Sequence, residues 1–161
     1  MKSWSILLAV AFILAACERK AAEDIPSNPD TVGGLSCSFS VSSADISGQV
    51  FTAKMILTNK GSEAIRVCTF CMPWRSGSGG KYSVEMTPDS WKSDAPTLEQ
   101  LAEHIEIIAP GASVSIPFQN ERGAERTIEL TGEYAVGEQL AKKLNVWHGV
   151  VEAKKFTLHL K

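Results

Sequence analysis

Two stretches, SCSFSVS (residues 36–42) and FTAKMILT (residues 51–58), decide the fold class of this chain. In the first, Cys37, Phe39 and Val41 alternate with serines at 36, 38, 40 and 42. In the second, Phe51, Ala53, Met55 and Leu57 alternate with Thr52, Lys54 and Thr58, interrupted only by Ile56. A period of two with one apolar face marks a strand buried on one side. Asp45 to Gly48 supply a turn between them, and Asn59-Lys60-Gly61-Ser62 supply the next. The pattern recurs at Ala64–Phe70, Tyr82–Met86, Val114–Phe118 and Thr127–Val136, and again in a last strand carrying Phe156, Leu158 and Leu160. Pro73 is expected to end the third strand, because proline cannot donate into a ladder. Residues 75–81 (RSGSGGK) and 120–125 are expected to be loops. Two short helices interrupt the strands. Thr97 with Gln100 three residues on predicts a capping box ahead of Leu98, Leu101, Ala102 and Ile105; EQLAKKL (138–144) predicts the second helix. The expected class is all-β: an antiparallel two-sheet sandwich of about seven or eight strands with two helical insertions, over residues 34–161.

The N-terminus has a different character. Lys2 precedes an uncharged run, ILLAVAFIL (residues 6–14), followed by Ala15, Ala16 and Cys17. The run is shorter than the ~20 apolar residues a membrane-spanning helix needs, and it fits a secretory signal. Leu14-Ala15-Ala16-Cys17 resembles the lipobox of bacterial lipoprotein precursors. That resemblance implies a signal peptide over residues 1–16, cleavage before Cys17, and a diacylglyceryl group on its sulfur. Two or three acyl chains, at about 0.8 kcal/mol per buried CH₂, make such attachment effectively permanent. Glu18 rather than Asp after the cysteine implies, by the same resemblance, the outer membrane, facing the periplasm. Residues 17–33, polar and carrying Pro26 and Pro29, are expected to be a tether.

Three pieces of the β region resemble bacterial immunoglobulin-like domains: Leu57-Thr58-Asn59 ahead of Gly61, Pro110-Gly111-Ala112 between two strands, and Gly132-x-Tyr134 late in the chain. The resemblance implies an immunoglobulin-like sandwich, with the Tyr134 hydroxyl tied back to backbone as in a tyrosine corner. The cysteine-tryptophan-cysteine spacing of antibody domains is absent.

Net charge is −2 at pH 7 with 16 basic and 18 acidic side chains. Nucleic acid, which needs a basic patch, is not an expected partner. Of the four cysteines, lipid would take Cys17, leaving Cys37, Cys68 and Cys71. In an oxidising compartment an odd number allows one internal disulfide and one spare thiol. Residues 68 and 71 of a straight strand lie about 10 Å apart, beyond bridging range. Either the chain bends at Cys71 or the bridge goes to Cys37. Strand parity favours Cys37–Cys71, with Cys68 as the spare thiol.

Cys68-Thr69-Phe70-Cys71-Met72 also allows other chemistry. Cys68, Cys71 and Met72 are soft ligands of the kind Cu(I) prefers, with Met55 or Met86 in reserve. A redox pair is a further option, although it lacks the helix N-terminus that activates such thiols. A closed zinc site needs about four ligands, and no second cysteine pair supplies them. His104, His148 and His159 are scattered rim residues. The 75–81 loop fails the phosphate-loop pattern at Arg75 and Tyr82. No nucleophile or acid–base motif stands out, so no enzymatic activity and no cofactor are expected. Trp74, Arg75 and Trp91 form the expected contact patch, since Trp and Arg dominate binding hot spots. The expected function is a lipid-anchored envelope protein whose β-domain binds a partner protein, with periplasmic copper binding or protease inhibition through the 75–81 loop as alternatives.

Overall fold

A computed structural model describes residues 32–47, 50–88, 96–121 and 124–160. The lipobox, most of the tether and Trp91 lie outside these residues. The described chain is mostly β, with two short helices. Strands run in order β1 (Leu35–Ser47), β2 (Val50–Asn59), β3 (Ile65–Cys68), β4 (Met72–Ser78), β5 (Lys81–Thr87), β6 (Ile105–Ile108), β7 (Ser113–Glu121), β8 (Thr127–Val136) and β9 (Gly149–His159). Helices α1 (Leu98–Ala102) and α2 (Glu138–Leu144) precede β6 and β9.

Seven strands form one sheet in the order β4-β5-β8-β9-β1-β2-β7, and β3 pairs with β6 separately. The expected all-antiparallel ladder gives way at two joints, where β1–β9 and β5–β8 are parallel. Sequence alternation is blind to this, because it specifies which face of a strand is buried and not its neighbour's direction.

The large sheet curls. Phe51 on β2 and Tyr82 on β5 belong to strands four places apart, about 19 Å in a flat sheet. Their ring centroids nevertheless lie 5.4 Å apart. The concave side holds the core, in which Leu35, Phe51, Met55, Leu57, Val84, Ile128, Leu130 and Val151 are fully buried. β9 contributes through a phase change: Val151 and Ala153 are buried, whereas beyond a register break Phe156 and Leu158 turn partly inward. An extra residue in one strand reverses which parity faces the core.

The capping box forms as the sequence predicts. Thr97 Oγ1 accepts from the Gln100 amide at 3.2 Å, and Gln100 Oε1 accepts from the Thr97 amide at 2.8 Å. Parts of two expected loops are strand. β4 runs through Pro73 to Ser78, turning at Gly79-Gly80 into β5, and β7 extends to Glu121. Pro73 is tolerated because β4 is an edge, where a missing N–H can face away from the ladder. β1 also continues to Ser47 past a register break after Val41, where a turn was expected from Asp45. Among the described residues no helix is long and apolar enough to cross a membrane.

Candidate functional site

The two edges of the large sheet, β4 and β7, curl towards each other without pairing. Four antiparallel and two parallel joints separate them, so they run in the same direction. Each edge carries a proline, Pro73 in register with Met86 and Pro117 in register with Lys54. A proline nitrogen cannot enter its own ladder, so both nitrogens are directed to the open edges. Both prolines line a cleft of about 550 Å³ between the edges, together with Val50, Thr52, Arg75 and Asn120. Arg75 bridges the cleft, its guanidinium donating to the Gln119 carbonyl. Paired strands meet backbone to backbone at about 4.8 Å; a contact through an arginine side chain marks a seam held open. On the β7 wall, Asn120 Oδ1 accepts from the Glu121 amide at 3.1 Å, while its Nδ2 is enclosed without a hydrogen-bond partner. Of the expected contact patch, the structure therefore brings Arg75 to the seam. Met72 and Trp74 are described by their backbone alone, in β4 opposite Thr87 and Glu85.

The cysteines meet at the junction of the two sheets. Tyr134 on β8 is fully buried, and its hydroxyl engages both backbone groups of Cys68 at the end of β3. It accepts from the Cys68 amide at 3.2 Å and donates to the Cys68 carbonyl at 3.0 Å. The hydroxyl is tied to backbone as expected, but to a strand of the other sheet rather than to a nearby corner. Burial first, then the Cys71, Cys68 and Cys37 thiols, push its pKa well above the ordinary tyrosine value, so it stays a neutral donor. The Trp147 ring lies against Tyr134 at 5.7 Å, its indole nitrogen donating to the Val32 carbonyl at 3.2 Å.

Cys37, Cys68 and Cys71 are free thiols, and the expected Cys37–Cys71 bridge is absent. The parity behind that pairing assumed a strand through residue 70. β3 instead stops at Cys68, where the Thr69 amide turns to the His104 carbonyl at 2.9 Å. Cys71 lies against the Cys68 backbone, its Sγ donating to the Cys68 carbonyl at 3.5 Å. Burial pushes the Cys37 thiol up to about 12. Burial also raises Cys68, and burial followed by the neighbouring Cys68 raises Cys71. Cys68 and Cys71 of the soft-metal alternative thus sit together at the end of β3. Among the described residues no group of three or more His, Cys, Asp or Glu side chains is placed to hold a metal ion. The histidines are dispersed: the His104 ring packs on Phe70 at 5.0 Å, and His159 Nδ1 meets Thr127 Oγ1 at 3.3 Å.

One feature of the outer face has no local sequence signature. Register sets Glu85, Glu133 and Glu152 side by side on β5, β8 and β9. They share a shallow cleft of about 480 Å³ at Gly132, where an added Cβ would collide with the Val84 carbonyl oxygen. Desolvation, then Glu85 and Glu152, raise the Glu133 carboxyl above its ordinary value. A raised carboxyl favours folding in its protonated form. Its contribution is complete below about pH 4.3 and is lost as pH rises through the folded value. Glu133→Gln is therefore expected to stabilise the protein at pH 7 by only about 0.2 kcal/mol, the low end for a cross-strand pair, because solvent screens these partly exposed carboxylates. Denaturation at pH 7 and pH 3.5 checks this, and an equal gain at both would contradict it. The residues lie far apart in sequence, so only the pairing order reveals the row.

No family model, curated protein or solved structure matches this chain.

Proposed function

We propose that this chain is a lipid-anchored protein of the cell envelope, held through Cys17 at the outer membrane and facing the periplasm. Its β-domain is a non-enzymatic docking module that meets a partner protein at the β4–β7 seam around Arg75. The observation that carries this reading is the proline-blunted seam itself, which keeps a cleft open where sheet edges would otherwise zip together. Arg75 occupies one side with a backbone carbonyl as its acceptor, and Asn120 Nδ2 on the other side lacks one. A partner presenting carboxylate or carbonyl oxygens suits the remaining N–H donors of the Arg75 guanidinium. Trp74, next to Arg75 in sequence, and Trp91, which lies outside the described residues, belong to the same proposal as the residue type that dominates hot spots. The sequence Leu14-Ala15-Ala16-Cys17-Glu18 supports the anchor and its address. The immunoglobulin-like architecture belongs to the same proposal, with β3–β6 as a reduced second layer joined to the large sheet through Tyr134.

Crosslinking in intact envelopes followed by capture of this protein tests the module. A defined partner should be recovered, and Arg75→Glu and Trp74→Ala should each lower its recovery about tenfold, the effect of losing ~1.4 kcal/mol. Recovery unchanged by both substitutions, or nothing above background with the unaltered chain, would overturn the proposal.

A further inference from the structure

We propose that Cys68 and Cys71 form a dithiol–disulfide pair, closed by a disulfide-bearing oxidant that enters at Cys71, with Cys37 as a spectator. Both sulfurs lie on one short segment, residues 68–71, that leaves the end of β3. Cys71 Sγ donates to the Cys68 carbonyl at 3.5 Å, and Cys68 Sγ reaches the Phe70 carbonyl at 3.8 Å. The segment is held from outside through Thr69, whose amide and hydroxyl both donate to the His104 carbonyl, at 2.9 and 3.0 Å. Tyr134 holds Cys68 by both backbone groups, so the resting half of the pair is anchored to the core.

Exposure assigns the order. Cys68 and Cys37 are 0% and 1% exposed, whereas Cys71 keeps a partly open surface. A disulfide reagent outside the fold therefore meets Cys71 first. The Cys71 sulfur gives up its proton and attacks one sulfur of the oxidant; that S–S bond breaks and one half leaves as a thiol. The Cys68 sulfur, deprotonated in turn, attacks the Cys71 sulfur of the mixed disulfide. The Cys68–Cys71 bond forms and the second half leaves as a thiol. Two electrons and two protons pass to the oxidant, which ends as two thiols. Because burial keeps both sulfurs protonated near neutral pH, the reaction accelerates as pH rises.

The test incubates the reduced, folded full chain with oxidised glutathione, quenches free thiols by alkylation, and maps the adducts by mass spectrometry. Expected are a transient glutathione adduct on Cys71, its disappearance, and a Cys68–Cys71 bridge, with Cys37 alkylated only after unfolding. In Cys68→Ser the Cys71 adduct should persist; in Cys71→Ser the folded protein should take no adduct; Cys37→Ser should behave as the parent. Circular dichroism establishes that each variant is folded, and Cys68→Ala replaces Cys68→Ser should the hydroxyl disrupt the core. A bridge containing Cys37, a first adduct on any cysteine other than Cys71, or a Cys71 adduct that persists in the parent chain would overturn the proposal.

Discussion

Asn59→Asp is expected to destabilise the domain by about 4 kcal/mol at pH 7, within the 3–5 kcal/mol range for an uncompensated buried charge, and by distinctly less at pH 4. Asn59 is fully buried at the end of β2 and joins four segments. Its Nδ2 donates to the Glu63 carbonyl at 2.7 Å and to the Ile108 carbonyl at 2.8 Å. Its Oδ1 accepts from the Gly61 amide at 2.8 Å. Its backbone closes the neighbouring turn, donating to Ala112 at 3.0 Å and accepting from Gly111 at 2.9 Å. Aspartate preserves the shape and the Gly61 bond but aims an oxygen at two carbonyl oxygens. The new carboxyl survives burial there only when protonated, so its folded pKa shifts upward. The stability it permits is present at low pH and lost as pH rises. Asn59→Ala separates charge from lost hydrogen bonding: it should cost about 3 kcal/mol at both pH values, by leaving the buried Ile108 carbonyl without its donor. Urea denaturation of the three proteins at pH 7 and pH 4 checks both. A pH-independent Asn59→Asp effect, or an Asn59→Ala cost below about 1 kcal/mol, would show that Asn59 is not the joint described.

Tyr134→Phe is expected to cost about 2–3 kcal/mol, although it removes a single oxygen. That oxygen both accepts from and donates to Cys68, in a buried position that the ring of Trp147 helps enclose. The Cys68 amide then has no replacement, and an unsatisfied buried donor loses its full desolvation energy. Among the described residues no other side-chain hydrogen bond joins β8 to β3, so its loss should act locally. Hydrogen exchange resolves this: amides of β3 and β6 should lose protection in Tyr134→Phe while β2 and β7 keep theirs. A uniform loss across both sheets, or a stability change within about 0.5 kcal/mol, would contradict the assignment.

The sequence is legible where the relevant interactions are local. Alternation in residues 51–58 places Phe51, Ala53, Met55 and Leu57 inward, and all four are fully buried. The Thr97–Gln100 box and the 138–144 helix depend on neighbours three or four residues away, and both form. Tyr134 is recognisable as a buried hydroxyl tied to backbone, but its partner lies 66 residues away and needs the fold to be known. Pro73 misleads for a physical reason: it ends a central strand but is at home on an edge, and only the sheet order says which applies. The Cys37–Cys71 parity argument assumes a strand through residue 70, whereas β3 ends at Cys68 and the Thr69 amide is bonded to His104, a long-range contact that sequence does not reveal. The seam and the glutamate row arise from strand order and register, which are long-range properties that no window of sequence contains.

The anchor and the redox state of the domain meet in one measurement, the intact mass of the protein extracted from membranes in detergent, before and after reduction. The mature chain should begin at Cys17 and carry the added mass of acyl chains, and reduction should add two hydrogens for one closed cysteine pair. A chain that begins at another residue, with Cys17 absent or unmodified, would contradict the account of where and how this protein works.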